Sequence, residues 1–175
     1  MADAWAFSDL APAERKALQA AAEALAKRPD TARTEDLEVL ALQSRGQAFA
    51  VPLQSVLSVT ELHSLAFVPR APSAVRGLVS VRGEVMIAVE LAGLTGAGDV
   101  GLKDLKRVVV LGIGSRRLGV LAERILAVRA TSVSAFKAAS HSMVPFVTGL
   151  DDELTSLIDP KALIAQAFSL LEGPA

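Results

Sequence analysis

The sequence predicts a mainly β protein: two similar small antiparallel barrels packed together, with a helix at each end. Three observations predict it. The second half repeats the first at an offset of 69 residues, so that Val51, Val56, Leu57 and Val59 recur as Val120, Ile125, Leu126 and Val128, and Phe67 falls on Phe136. Further on, Glu90 and Leu94 land on Asp159 and Leu163, and VRGL at 75–78 matches VTGL at 147–150 after a slip of three residues. Two apolar hairpins, each broken by a glycine-bearing turn, occupy the same place in the two copies. The remaining segments are short and rich in β-branched residues, which suit a half-buried pleated surface. A repeat this long means two packed units rather than a solenoid, which needs three or more short repeats.

The elements follow in order. Residues 12–27 read as helix, because Pro12 comes early, Ala, Glu, Lys, Leu and Gln dominate, and Leu10, Leu18 and Leu25 recur near helical spacing. The polar stretch 28–36, with Pro29, ends it. Residues 1–35 are thus expected to form a helical extension and 36–172 the two barrel subdomains. Strands are expected at 38–43 and 47–51 around a turn at 44–46, then at 56–60, 78–81 and 85–91. The glycine-rich segment 95–106 is the expected joint between barrels. Strands at 107–113 and 118–122 around a turn at 114–117, then at 125–130 and 154–158, make the second copy. Residues 160–171 form a closing helix, with Pro160 at its first position and Asp159 as its cap. Glu90 is expected to play the equivalent capping part.

Composition narrows the function. With 51% of 175 residues apolar, the chain can bury a core without staples, and the lack of cysteine removes disulfides and thiolate zinc sites. A net charge of −1, with one Trp, six Phe and no Tyr, speaks against a nucleic-acid partner. The amino terminus has acidic residues and no long apolar run, so neither a signal peptide nor direct membrane insertion is expected and the protein reads as cytoplasmic.

Motifs for chemistry are weak. GAGDVG at 96–101 matches a phosphate-cradling glycine pattern, but the twelve or so residues before the next strand leave no room for a crossover helix. His141 lies between Ser140 and Ser142, yet a triad depends on spatial roles that sequence neighbours rarely have. His63 and His141 are the only histidines, so no metal site is expected, nor any cofactor or catalytic residue. Asp151 to Glu153 reads as a solvated acidic turn.

The densest cluster of informative residues is VPRAPSAVRGLVSVRGEVMIAVEL, at 68–91. Here the chain resembles the CheW-like coupling domain of bacterial chemosensory systems. The family's VP-x-AP run, its Gly followed by an apolar residue, its NLRG turn and its apolar strand closing in DL are met by Val68, Pro69, Ala71, Pro72, Gly77, Leu78, Val81, Arg82, Gly83 and Leu91. Glu61 and Leu62 resemble the Glu-Ile after the family's third strand, 119–128 its G-x-x-x-D-x-V stretch, and 157–159 its closing LLD. Ser80 stands where Asn is usual, Ile87 for Pro, and Glu90 and Glu123 for Asp. The resemblance spans residues 36–171.

That resemblance implies two intertwined five-stranded SH3-like barrels and a noncatalytic adaptor. Its partners would be the regulatory domain of a CheA-type histidine kinase and the cytoplasmic tip of a methyl-accepting chemoreceptor, in a membrane-associated array. Partner contacts would fall on Val59, Glu61, Gly77, Val81, Arg82 and Gly83. Four of these have a second reading: Val59 can be core, Arg82 can pin a turn by bonding carbonyls, and Gly77 and Gly83 can serve positive-φ backbone. The alternative function is a divergent module of another chemosensory, pilus or polar-positioning pathway that binds a different partner.

Overall fold

The computed structural model describes residues 36–96, 105–138 and 144–172. The expected helix at 12–27, and with it the extension at 1–35, lies outside the described residues. Among the described residues, eleven strands fall into two sheets. The first half supplies β1 (Asp36–Ser44), β2 (Gln47–Pro52), β3 (Val56–Glu61), β4 (Val75–Val81), β5 (Glu84–Glu90) and the one-turn helix α1 (Leu91–Leu94). The second supplies β6 (Arg107–Ile113), β7 (Arg116–Ala122), β8 (Arg124–Ser132), β9 (Lys137–Ala138), β10 (Val147–Leu150), β11 (Ser156–Ile158) and helix α2 (Pro160–Glu172).

The halves do not each form a sheet. The six-stranded sheet runs β8-β1-β2-β11-β10-β9 and the five-stranded sheet β3-β6-β7-β5-β4, so each half lends its opening hairpin to the other. The exchange obeys the repeat. β1 pairs antiparallel with β8 as β6 does with β3, and β2 pairs in parallel with β11 as β7 does with β5. The expected joint at 95–106 is therefore corrected. That segment follows β5 and leads into β6, two strands of the same sheet, and the chain changes sheets instead at the 3-10 turn Leu53–Ser55 and, one repeat later, at Glu123.

The exchange explains the apolar runs. Along β6, Val108 and Val110 pack inside the five-stranded sheet with Val79, Met86, Ala88 and Leu121, while Val109 and Leu111 face the main core between the sheets. A strand buried on both faces is apolar throughout rather than alternating. The main core also takes Leu42, Phe49, Val89, Leu118 and Phe146, and α2 closes it with Leu163, Ile164 and Ala167. Pro160 opens α2, and Asp159 caps it by accepting the Lys161 N–H at 2.8 Å.

Two local expectations shift. β10, the counterpart of β4, reads poorly as a strand because VTGL is short and carries a glycine. Phe67 is not the structural counterpart of Phe136. Ala66 bridges Leu78 on β4 while Lys137 pairs with the equivalent Leu150, which places Leu65 in the position of Phe136. Leu65 accordingly packs into its sheet, and Phe67 is 80% exposed where Phe136 is 8%.

Candidate functional site

The five-stranded sheet curls until its two edges, β3 and β4, face each other across a cleft of about 170 Å3. Val59 and Glu61 line it from β3, Val81 and Arg82 from the end of β4, and Leu62 and His63 from the chain beyond β3. Four of the six residues expected to meet partners thus share one surface. Val59 is 41% exposed, so on this edge strand it is at the surface, whereas its neighbours Ser58 and Thr60 are less so. Glu61 is held by Arg107 on the adjacent strand, Nη1 to Oε1 at 2.8 Å, with both side chains substantially exposed. Such a pair contributes little to stability and can exchange for a partner's charge.

Arg82 and Gly83 form the two-residue tip between β4 and β5, with φ of 52° and 85°. Positive φ at both central positions suits the twist of a tight hairpin. The exposed Arg82 side chain projects from that tip. Gly77 is different. It is buried, its φ is +150°, and a Cβ there would stand 2.3 Å from the carbonyl oxygen of Ala66. The structure gives it a packing part, holding the chain after β3 against β4, and no exposed surface to offer a partner.

Glu90 corrects another expectation. Its side chain makes no capping bond to α1. Instead its carboxylate, 2% exposed, receives Arg45 Nε at 2.6 Å and Nη2 at 3.0 Å, and Arg76 Nε lies 3.1 Å away. Arg45 sits in the β1–β2 turn of one sheet and Glu90 on β5 of the other, so this carboxylate ties the two sheets together. Glu123, at the second crossing between sheets, bonds back through its N–H to the Gln43 carbonyl at 2.9 Å.

The acidic turn is also more than a solvated one. Asp151 Oδ1 accepts the N–H groups of Thr155 at 2.7 Å and Glu153 at 3.0 Å, and Oδ2 accepts Arg129 Nη2 at 2.7 Å. Burial pushes this carboxyl up, but the Thr155 N–H and the Arg129 guanidinium outweigh it and hold it below the usual carboxylate range. A carboxylate favoured in the folded state stabilises above its unfolded value near about pH 4, and the gain fades as pH falls through the lower folded value. Asp151→Asn is therefore expected to lower Tm at pH 7 by a margin that closes on acidification below about pH 4. A Tm gap that stayed constant from neutral to acid pH would rule out this charge effect.

GAGDVG falls mostly, and His141 wholly, outside the described residues. Among the described residues no helix is long and apolar enough to cross a membrane. Sequence reading missed Leu57, Leu126 and Val128, which stand exposed on β3 and β8, the edge strands of the two sheets; their recurrence in the repeat was the available signal.

Two sheets with exchanged hairpins, tied together by a buried carboxylate, make a double-barrel domain. The chain belongs to the CheW-like domain family, whose model matches residues 38–168. It is 32% identical over 84 residues to Protein FrzA of Myxococcus xanthus, a match covering 48% of this chain and 52% of that one, so it spans about half the length of this curated relative. In fold it is similar to the scaffolding protein TtCheW of Thermoanaerobacter tengcongensis, with a TM-score of 0.62 at 18% identity, over 71% of this chain and 89% of that one.

Proposed function

We propose that this protein is a noncatalytic chemosensory adaptor that holds the regulatory domain of a CheA-type histidine kinase against the cytoplasmic tip of a chemoreceptor. It would work in the cytoplasm, recruited to a membrane-associated receptor array. The observation that carries the reading is the β3–β4 cleft, where Val59, Glu61, Val81 and Arg82 converge at the two edge strands of the sheet. An unpaired edge is a ready surface for another small barrel, and apolar residues rimmed by a salt bridge and an arginine suit a specific, reversible contact. Holding two partners at once makes their encounter effectively intramolecular, so the adaptor contributes through geometry alone.

Titration calorimetry against the kinase regulatory domain, and then against the receptor tip, tests the proposal. Saturable binding to both is expected, and binding to neither would end the coupling reading. Arg82→Glu is expected to weaken receptor-tip binding by about tenfold or more, an interface hot-spot effect. Its Tm should stay within a degree or two, because the side chain is exposed and the backbone demand at φ 52° is the same for Glu as for Arg. A large loss of folded protein would instead make Arg82 a structural residue.

A further inference from the structure

The two halves treat one carboxylate differently. Glu90 ends β5 and Asp159 follows β11, and the matching parallel registers Ala88↔Gly119 and Leu157↔Ala50 make them structural equivalents. The hairpin turns are equivalent too. Ser44 pairs with Gln47 across one and Ile113 with Arg116 across the other, which places Arg45 at φ 50° and Gly114 at φ 58° in the same position. In the first half Arg45 and Arg76 hold Glu90, and the junction is sealed, with Ser44, Val89, Leu91 and Ala92 all buried. In the second half neither arginine has a counterpart. Gly114 stands for Arg45 and Thr148 for Arg76, and the Thr148 hydroxyl donates to the Leu157 carbonyl at 3.2 Å. The same junction is there a cleft of about 610 Å3, with Ile113, Asp159 and Lys161 among the residues lining it. Asp159 is half-buried, its Oδ1 accepts the Lys161 N–H, and among the described residues no side-chain cation bridges it.

We propose that this cleft receives an arginine side chain from a partner protein, whose guanidinium binds Asp159 as Arg45 binds Glu90 in the first half. The first half supplies the chemistry. There the guanidinium meets the equivalent carboxylate through two N–H groups, Nε at 2.6 Å and Nη2 at 3.0 Å. A planar fork of donors suits a carboxylate better than an ammonium does. Pro52, Ile113 and Leu157 wall the cleft with apolar surface against which the methylene stem of an arginine packs. Gly114 keeps the entrance clear: it is exposed, and a Cβ there would meet nothing within 4 Å. Lys161, the one cation lining the cleft among the described residues, is exposed and gives Asp159 its backbone N–H rather than its ammonium. Half-burial makes the proposed pair stronger than one on open surface. The site shares no residue with the β3–β4 cleft and depends on neither the kinase nor the receptor reading.

Chemical-shift titration of the full chain with N-acetylargininamide tests the inference. Saturable shifts are expected at the amides of Gln54, Ile113 and Lys161, while the citrulline analogue, isosteric but uncharged, should bind about tenfold more weakly or not at all. Asp159→Asn should cause the same loss and keep α2, because Asn caps a helix about as well as Asp does. Gly114→Arg supplies the guanidinium from within and is expected to abolish binding. Gly114→Ala, with the same backbone demand and no charge, should bind as wild type does. Free arginine, whose α-carboxylate and ammonium a residue in a chain lacks, is expected to bind no better than the blocked form. An absence of saturable shifts, equal binding of the citrulline analogue, an Asp159→Asn protein that bound like wild type, or a Gly114→Arg protein that folded and still bound would each overturn the inference. Free arginine binding about tenfold more tightly than the blocked form would overturn the assignment to a partner protein.

Discussion

Glu90→Ala is expected to lower the free energy of unfolding by about 3–5 kcal/mol, the usual consequence of removing one partner from a buried ion pair. Arg45 and Arg76, only 12% and 9% exposed, keep their charges and lose the carboxylate between them. Arginine cannot shed its proton to escape burial, so the penalty falls on the fold. Because Glu90 joins the turn of one sheet to a strand of the other, the loss should also weaken the junction between sheets, and the unfolding transition should broaden as well as shift. Urea denaturation followed by circular dichroism measures both. A change under about 1 kcal/mol with an unaltered slope would show that other contacts of the two arginines carry them unaided.

Gly77→Ala is expected to cost about 3 kcal/mol or more, at the upper end of overpacking effects. The added Cβ would stand 2.3 Å from the Ala66 carbonyl oxygen and 3.0 Å from Leu65 Cγ, and a backbone φ of +150° already disfavours any side chain. A carbonyl cannot swing aside as a long side chain can. Relief requires separating Ala66 from Leu78, which breaks two backbone hydrogen bonds of 2.9 and 2.8 Å and frees the segment that backs the cleft. Partner binding should therefore fall along with stability, unlike in Arg82→Glu, where only binding falls. A Gly77→Ala protein of wild-type stability would show that this segment yields at little cost.

The repeat made most of the fold legible, because similar stretches of chain form similar strands: the hairpins, the strands after them and the closing helix all fall within a few residues of expectation. Which sheet each hairpin joins was not legible. Local periodicity records that a residue is buried, not against which half of the chain, so 95–106 read as a joint when it links strands of one sheet. The unbroken apolar run Val108 to Leu111 held a hint, since a strand buried on one face only would have alternated. Of the site, Val59, Glu61, Val81 and Arg82 were named from family resemblance and prove to share a cleft. Glu90 was misread because its partner Arg45 is 45 residues away, whereas Asp159, whose hydrogen-bond partner is two residues away, was read correctly.

The hairpin exchange also bears on how the chain is made. β1 pairs with β2 on one edge and finds its other neighbour in β8, with Asp36 opposite Ser132, so the first hairpin leaves the ribosome well before the strands that complete its sheet. Until then its edges are open to any other strand, on the same nascent chain or on a neighbouring one. Pairings this distant in sequence close slowly, and the five-stranded sheet likewise waits for β6 and β7. All strands of the five-stranded sheet exist once β7 is made, whereas the six-stranded sheet waits for β8 to β11, so the first hairpin stays without its partners throughout the synthesis of the other sheet.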